Sequence, residues 1–185
     1  MSHTRTYEIE FIERIKSGDQ EAFKEFFANH YSEVFRFLYR MTHDKEVAKD
    51  LTQDTFFNFY RSRERLNPII PSNFYLFRIA RNVAINYLQR KETFEFIDEE
   101  KELSVINYSN YSTEEDSNLS FLERDLEKAI EALPNRCRAV FLLSRFHNLS
   151  YSEIAQTLEI SIQTVKNQIN KAISILRKKL SSYLE

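Results

Sequence analysis

Residues 149–180 read LSYSEIAQTLEISIQTVKNQINKAISILRKKL, and two helices joined by a short turn follow from that stretch. Ser150 and Glu153 stand in the S-x-x-E arrangement, where each side chain satisfies the other residue's backbone N–H and starts a helix. That helix turns Ile154, Ala155 and Leu158 inward. Glu159-Ile160-Ser161 makes the turn, and Ser161 is the natural N-cap of the next helix. Stepping about 100° per residue places Ile162, Val165, Ile169, Ile173, Leu176 and Leu180 on one stripe. Gln163, Asn167, Asn170, Lys171 and Ser174 fall on the opposite face, with Thr164 and Lys166 beside it. An ordinary solvated face favours Glu-Lys pairs. This one is rich in Asn, Gln and Thr, side chains that hydrogen-bond base edges, so it points to the DNA major groove. Thr164, Asn167 and Asn170 are the candidates for base contact, with Gln163 on the same face, and Lys166 and Lys171 for phosphate.

The same period extends upstream. Leu122, Leu126, Ile130 and Leu133 form a stripe that stops at Pro134, and Val140, Leu143 and Phe146 form another. Nearer the start, Phe11, Ile12 and Ile15 precede a break at Ser17-Gly18-Asp19. Ala22, Phe23, Phe26 and Phe27 open a longer helix that Val34, Phe35, Leu38 and Tyr39 continue. Asp44 caps a helix bearing Val47, Ala48, Leu51, Phe56 and Phe59. Asn67-Pro68 and Pro71-Ser72 break the chain again before a helix over 73–91. One glycine and three prolines in 185 residues leave too few turn formers for a sheet protein, and they exclude glycine-rich phosphate loops. The fold expected is all-α: a helical bundle over 9–91, a flexible linker over 92–118, and a four-helix unit over 119–185. Phe94, Phe96, Leu103 and Ile106 are the linker residues able to dock.

The net charge of −2 conceals three blocks. Residues 60–91 hold seven Lys/Arg against one acid, and residues 134–185 hold eight against three. Between them, residues 92–127 hold two against twelve. Two cationic blocks around an anionic connector suit two surfaces for a polyanion. Cys137 is the only cysteine, so an intrachain disulfide is excluded, a reducing compartment is expected, and the thiol reads as a small core residue. No apolar run nears the roughly 18 residues of a membrane span. MSHTRTYEIE lacks a signal-peptide core, so a soluble cytoplasmic protein without membrane insertion is expected.

Within FYLFRIARNVAINYLQR (74–90), Leu76, Ile79, Ala80, Val83 and Tyr87 point one way. Arg78, Arg81, Asn82, Ile85 and Gln89 point the other, with Asn86 at the edge. Arginines, amides and the nearby rings of Phe74, Tyr75 and Phe77 fit a track for single-stranded nucleic acid. A packed aromatic core with solvated arginines explains the same pattern. In DLTQDTF (50–56), Asp50, Gln53 and Asp54 share one helix face. Spacing alone reads this as ordinary surface, or as a patch for a basic protein.

IKSGDQEAFKEFFANHY (15–31), VAKDLTQDTFFNFY (47–60), FYLFRIARNVAINYLQRK (74–91) and LPNRCRAVFLLSRFHNLSYSEIAQTLEISIQTVKNQINKA (133–172) together resemble the sigma-70 family of bacterial initiation factors, in its extracytoplasmic-function (ECF) subgroup. The resemblance spans nearly the whole chain. It implies a sigma-two domain over 9–91, a sigma-four domain over 119–185, and a connector threading toward the polymerase RNA-exit path. It implies that Asp50, Gln53 and Asp54 grip the beta-prime coiled coil of core RNA polymerase, with the beta flap as a second contact. The loop 66–73 and Tyr75, Arg78, Arg81, Asn82 and Asn86 then serve the melted minus-ten element of promoter DNA. Gln163, Thr164, Lys166, Asn167, Asn170 and Lys171 serve the minus-thirty-five element. An inhibitory anti-sigma factor is a further partner implied. The chain departs from the family at four places: Glu159 replaces a usual glycine, Tyr75 a common Trp, His147-Asn148 an acid and glycine, and Asn170 stands where larger side chains are common.

Two rival readings compete. A stand-alone helix-turn-helix regulator explains 133–180 but leaves the Asp50–Asp54 face without a job. An enzyme needs a convergent reactive cluster, whereas His3, His30, His43 and His147 lie singly and without ligand spacing. No catalytic residue, metal, cofactor or small-molecule substrate is expected.

Overall fold

In the computed structural model, which describes residues 2–98 and 121–183, capping side chains set the helix boundaries. Helix α1 (Ser2–Lys16) ends where Gly18 takes a φ of 90°. Asp19 then accepts from the backbone N–H of Glu21 and Ala22 at 3.0 and 3.1 Å and opens α2 (Gln20–Thr42). Asp44 accepts from Glu46 and Val47 in the same way and opens α3 (Lys45–Arg61). A 3-10 turn at Arg63–Arg65 leads through the proline-containing loop to α4 (Ser72–Asp98). The second half holds α5 (Phe121–Glu131), α6 (Asn135–Arg145), α7 (Tyr151–Leu158) and α8 (Ile162–Lys179), followed by a 3-10 turn at Ser181–Tyr183. The fold is all-α, and no strand occurs among the described residues.

The first half packs α2, α3 and α4 around Phe26, Phe37, Leu38, Met41, Phe59, Leu76 and Phe77, each almost wholly buried. The Phe26 and Phe59 rings stack at 4.6 Å. Truncating one such ring to alanine costs about 3–5 kcal/mol, since the cavity adds to the lost transfer energy. In the second half, Leu133, Leu142, Leu143, Ile154, Val165 and Ile169 form the core.

Several expectations are corrected. Phe146 and Tyr39, counted in the inward stripes of their helices, are 40% and 37% exposed. Helix α4 continues to Asp98, through the first seven residues of the expected connector, because ETFEFID holds no glycine or proline to stop it. The rest of the connector, 99–118, with Leu103 and Ile106, lies outside the described residues, as do the side chains of Phe94 and Phe96. Ile162 is 46% exposed, with Ser161 and Gln163 beside it at the surface while Ile160 packs against the core, and the inward stripe of α8 begins at Val165. Ile85, assigned to the outward face of α4, is buried. There it lines a cleft with Pro134, Cys137 and Gln168 of the second half.

The two halves therefore touch. Arg138, buried on α6, donates from Nη1 to the Met41 carbonyl at the end of α2 (2.5 Å) and from Nη2 to the carbonyls of Glu131 and Leu133. Those carbonyls lie at helix ends, where partial negative charge accumulates and a cation is favoured. The His147 ring lies 4.5 Å from Phe77 and 5.7 Å from Phe37, centroid to centroid, and its Nδ1 is 3.0 Å from Glu33 Oε1. That contact, with His30 on the same helix, lowers the Glu33 carboxyl to about 2.

Candidate nucleic-acid interface

The turn between α7 and α8 forms as its sequence dictates. The Ser150 hydroxyl accepts from the Glu153 N–H, and the Glu153 carboxylate accepts from the Ser150 N–H at 2.8 Å, closing the capping box. The Ser150 hydroxyl, donating to the Glu153 carboxylate at 2.6 Å, and then the Ser150 N–H hold that carboxyl below its ordinary range. Glu159 ends α7 in the left-handed region at φ 54°, so the turn forms without the glycine usual there. Ser161 Oγ accepts from the Thr164 N–H at 3.0 Å and starts α8.

With Val165, Ile169, Ala172 and Leu176 buried, Gln163, Lys166, Asn167, Asn170 and Lys171 all lie exposed on one side of α8. Gln163 donates to Asn167 across one helical turn at 2.9 Å, which holds both amides toward solvent. Thr164 differs from its neighbours: it is half-buried, and its hydroxyl sits 2.8 Å from Ser161 Oγ in the cap. Cys137 is buried beneath this helix, its Sγ donates to Gln168 Oε1 at 2.6 Å, and burial raises the thiol, as befits an inert core group.

On α4 the expected group divides. Phe74 and Phe77 are core residues, which removes them as stacking platforms. Tyr75 remains half-exposed, and its hydroxyl accepts the Asn67 N–H at 3.2 Å, bracing the loop. Asn67 shapes that loop further by accepting from the Ile69 N–H, and Ile69 is left 64% exposed at the tip. Asn82 and Asn86 are exposed. Arg78 lies 5.3 Å from the Tyr75 ring, but its Nε donates to the Thr157 carbonyl at 3.0 Å and its Nη1 pairs with Glu159. Arg81 donates to Asn82 and is half-buried; burial first, then Arg136 opposite, disfavours its charged form.

Asp50, Gln53 and Asp54 are exposed on α3 because Leu51, Thr52, Thr55 and Phe56 take the buried positions. The hydroxyls of Thr52 and Thr55 donate to the carbonyls four residues back, at 2.6 and 2.7 Å, so the buried side carries no unmet hydrogen bond there. Phe57, 61% exposed, was missed by sequence reasoning. Its position four after Gln53 and three after Asp54 is the signal that puts it on this face.

Among the described residues no cluster of three His, Cys, Asp or Glu suits a metal, and no helix is long and apolar enough to cross a membrane. Fold and exposed surface define a helix-turn-helix protein with a second helical module. The family model for Sigma-70 region 2 matches residues 26–93, and that for Sigma-70, region 4 matches residues 123–176. The RNA polymerase sigma factor CarQ of Myxococcus xanthus is 30% identical over 172 residues, covering 91% of this chain and 95% of that protein. The ECF RNA polymerase sigma factor SigW of Bacillus subtilis is 28% identical over 176 residues, covering 91% and 94%. Two solved structures share the fold. CnrH in complex with the cytosolic domain of CnrY has a TM-score of 0.69 at 20% identity, covering 95% of this chain and 97% of that one. The sigma factor RpoE in complex with the anti-sigma factor NepR from Bartonella quintana has a TM-score of 0.65 at 22% identity, covering 86% and 96%. The chain belongs to the sigma-70 family of RNA polymerase sigma factors, in its ECF subgroup.

Proposed function

We propose that this sigma factor binds core RNA polymerase and directs it to promoter DNA in the cytoplasm, catalysing no step itself. The observation that carries this reading is one chain presenting two unlike surfaces, the amide-and-lysine face of α8 and the Asp50, Gln53, Asp54 and Phe57 face of α3. The first suits base edges and phosphate, the second a basic protein. In this reading residues 119–185 take the minus-thirty-five element through Gln163, Lys166, Asn167, Asn170 and Lys171. Thr164 acts there mainly by holding the start of α8. Residues 9–91 take polymerase through α3 and the melted minus-ten strand through Tyr75, Arg78, Arg81, Asn82 and Asn86. An anti-sigma factor is a further partner, as NepR is for the related RpoE. A stand-alone regulator is not favoured, because it gives the α3 face no role.

The test is reconstituted transcription from genomic DNA with core polymerase, with and without this chain, followed by mapping of transcript 5′ ends. New start sites that share an upstream motif are expected, together with co-elution of the chain and core before DNA is added. Neither new starts nor co-elution means the reading is wrong.

A further inference from the structure

We infer that the contact between the two halves is an autoinhibitory clasp, in which Glu159 at the helix-turn-helix turn occupies Arg78 and keeps it from single-stranded DNA. The consequence for DNA rests on the minus-ten role proposed for Arg78; the clasp itself rests on the contacts alone. A guanidinium binds carboxylate and phosphate through the same planar fork, so the Glu159 carboxylate stands where a DNA phosphate oxygen would. The Thr157 carbonyl, at the C-terminal end of α7, takes the Nε–H at 3.0 Å. Only 23% of the Arg78 side chain is left exposed, while 69% of the Glu159 side chain is.

Backbone conformation points the same way. Glu159 sits at φ 54°, which glycine adopts freely and residues with a side chain adopt reluctantly. A glycine there would make the same turn with no strain and leave Arg78 only the Thr157 carbonyl, so what the glutamate adds is its carboxylate. Among the described residues the non-glycine positions with positive φ are His43, Asn148 and Glu159, and each flanks a cross-contact. His43 ends the helix whose Met41 carbonyl receives Arg138, and Asn148 follows His147, which meets Glu33.

The seam also carries a charge repulsion that closure must overcome. Arg81 is half-buried, its Nε is buried without a partner, and the charge of Arg136 acts against its own. Gln163, Lys166, Asn167 and Asn170 stay exposed throughout, so the clasp masks the α4 side and leaves the recognition helix free.

The experiment compares the full-length chain with its Glu159→Gly, Arg78→Ala and Glu159→Gly/Glu33→Gln variants. Small-angle X-ray scattering reads compactness. Anisotropy of a fluorescein-labelled, random-sequence single strand of about 20 nucleotides reads binding. A closed chain of 185 residues has a radius of gyration near 16 Å, roughly, by globular scaling. The wild type should lie close to that value, and Glu159→Gly should expand and bind the strand up to about fivefold tighter, the loss of one solvent-screened ion pair from the closed state. The double variant should expand further. Arg78→Ala should expand with no gain in binding, because the released group is the one removed. A wild type already expanded, or a Glu159→Gly chain as compact as wild type, overturns the clasp. Expansion with unchanged strand binding overturns the masking, and counts against the minus-ten role of Arg78 rather than against the contact.

Discussion

Replacing Arg138 by methionine tests the joint between the halves together with the α5–α6 corner, since its bond to Met41 crosses between the halves and the other two lie within the second. The guanidinium holds the carbonyls of Met41, Glu131 and Leu133 with three hydrogen bonds. Hydrogen bonds from a charged donor contribute about 1.5–3 kcal/mol each, so the three supply roughly 4.5–9 kcal/mol. Opposing terms are large. Burial pushes the Arg138 pKa down, which is the sign of a desolvated cation, and its buried Nε has no partner. Desolvation of an ion costs several kcal/mol and an orphaned donor about 1–3 kcal/mol, both relieved when the cation is removed. Methionine keeps most of the volume, so the net loss expected is about 2–4 kcal/mol. A chain of this size loses roughly 2–4 °C of melting temperature per kcal/mol, and Arg138→Met should fall by about 5–15 °C in a thermal scan. Arg138→Lys is the sharper arm. An ammonium keeps the desolvation cost but cannot fork to carbonyls on two separate helices, so lysine should do no better than methionine. A lysine variant within about 1 kcal/mol of wild type by urea titration refutes the argument, because charge alone would then suffice.

Three further outcomes are expected. Asn167→Ala with Asn170→Ala should weaken upstream promoter recognition by about 1–3 kcal/mol per lost base contact, leaving polymerase binding intact; unchanged promoter preference in run-off transcription would count against it. Asp50→Arg with Asp54→Arg should abolish co-purification with core polymerase, and Phe57→Ala should weaken it; full retention by the double variant sinks the partner face. Glu33 governs an acid-side response: its carboxyl lies at about 2 against an ordinary 4.5, with His147 and His30 facing it and Arg36 and Arg40 lining the same cavity. A depressed acid stabilises the folded state fully above its unfolded value and loses that contribution as pH falls, so melting temperature should drop between about pH 5 and pH 2 more steeply in wild type than in Glu33→Gln. Parallel curves refute it.

Much of the molecule was legible in its residues. Asp44, Ser150 with Glu153, and Ser161 are helix starters whose partners sit two or three residues away, so no tertiary contact is needed to read them; Asp19, placed only in a break, is another of the same kind. The two faces of α8 followed from period for the same reason, as did the exposure of Asp50, Gln53 and Asp54. Phe57 was equally within reach, since it lies on their face and off the Phe56/Phe59 stripe. Thr164 was misjudged because a hydroxyl next to an N-cap can serve the cap instead of a ligand.

The sequence by itself therefore determined most helix starts, the greater part of the inward stripes and the amide-rich face of α8, because backbone capping and period act over one or two turns. Only the tertiary structure decided what covers the outward side of α4. Whether Ile85 is buried, Arg78 is held by Glu159, or His147 reaches Glu33 depends on residues some 50 to 115 positions apart meeting at one surface. No local periodicity encodes that meeting; it arises from how the shapes and charges of two separately readable halves fit together.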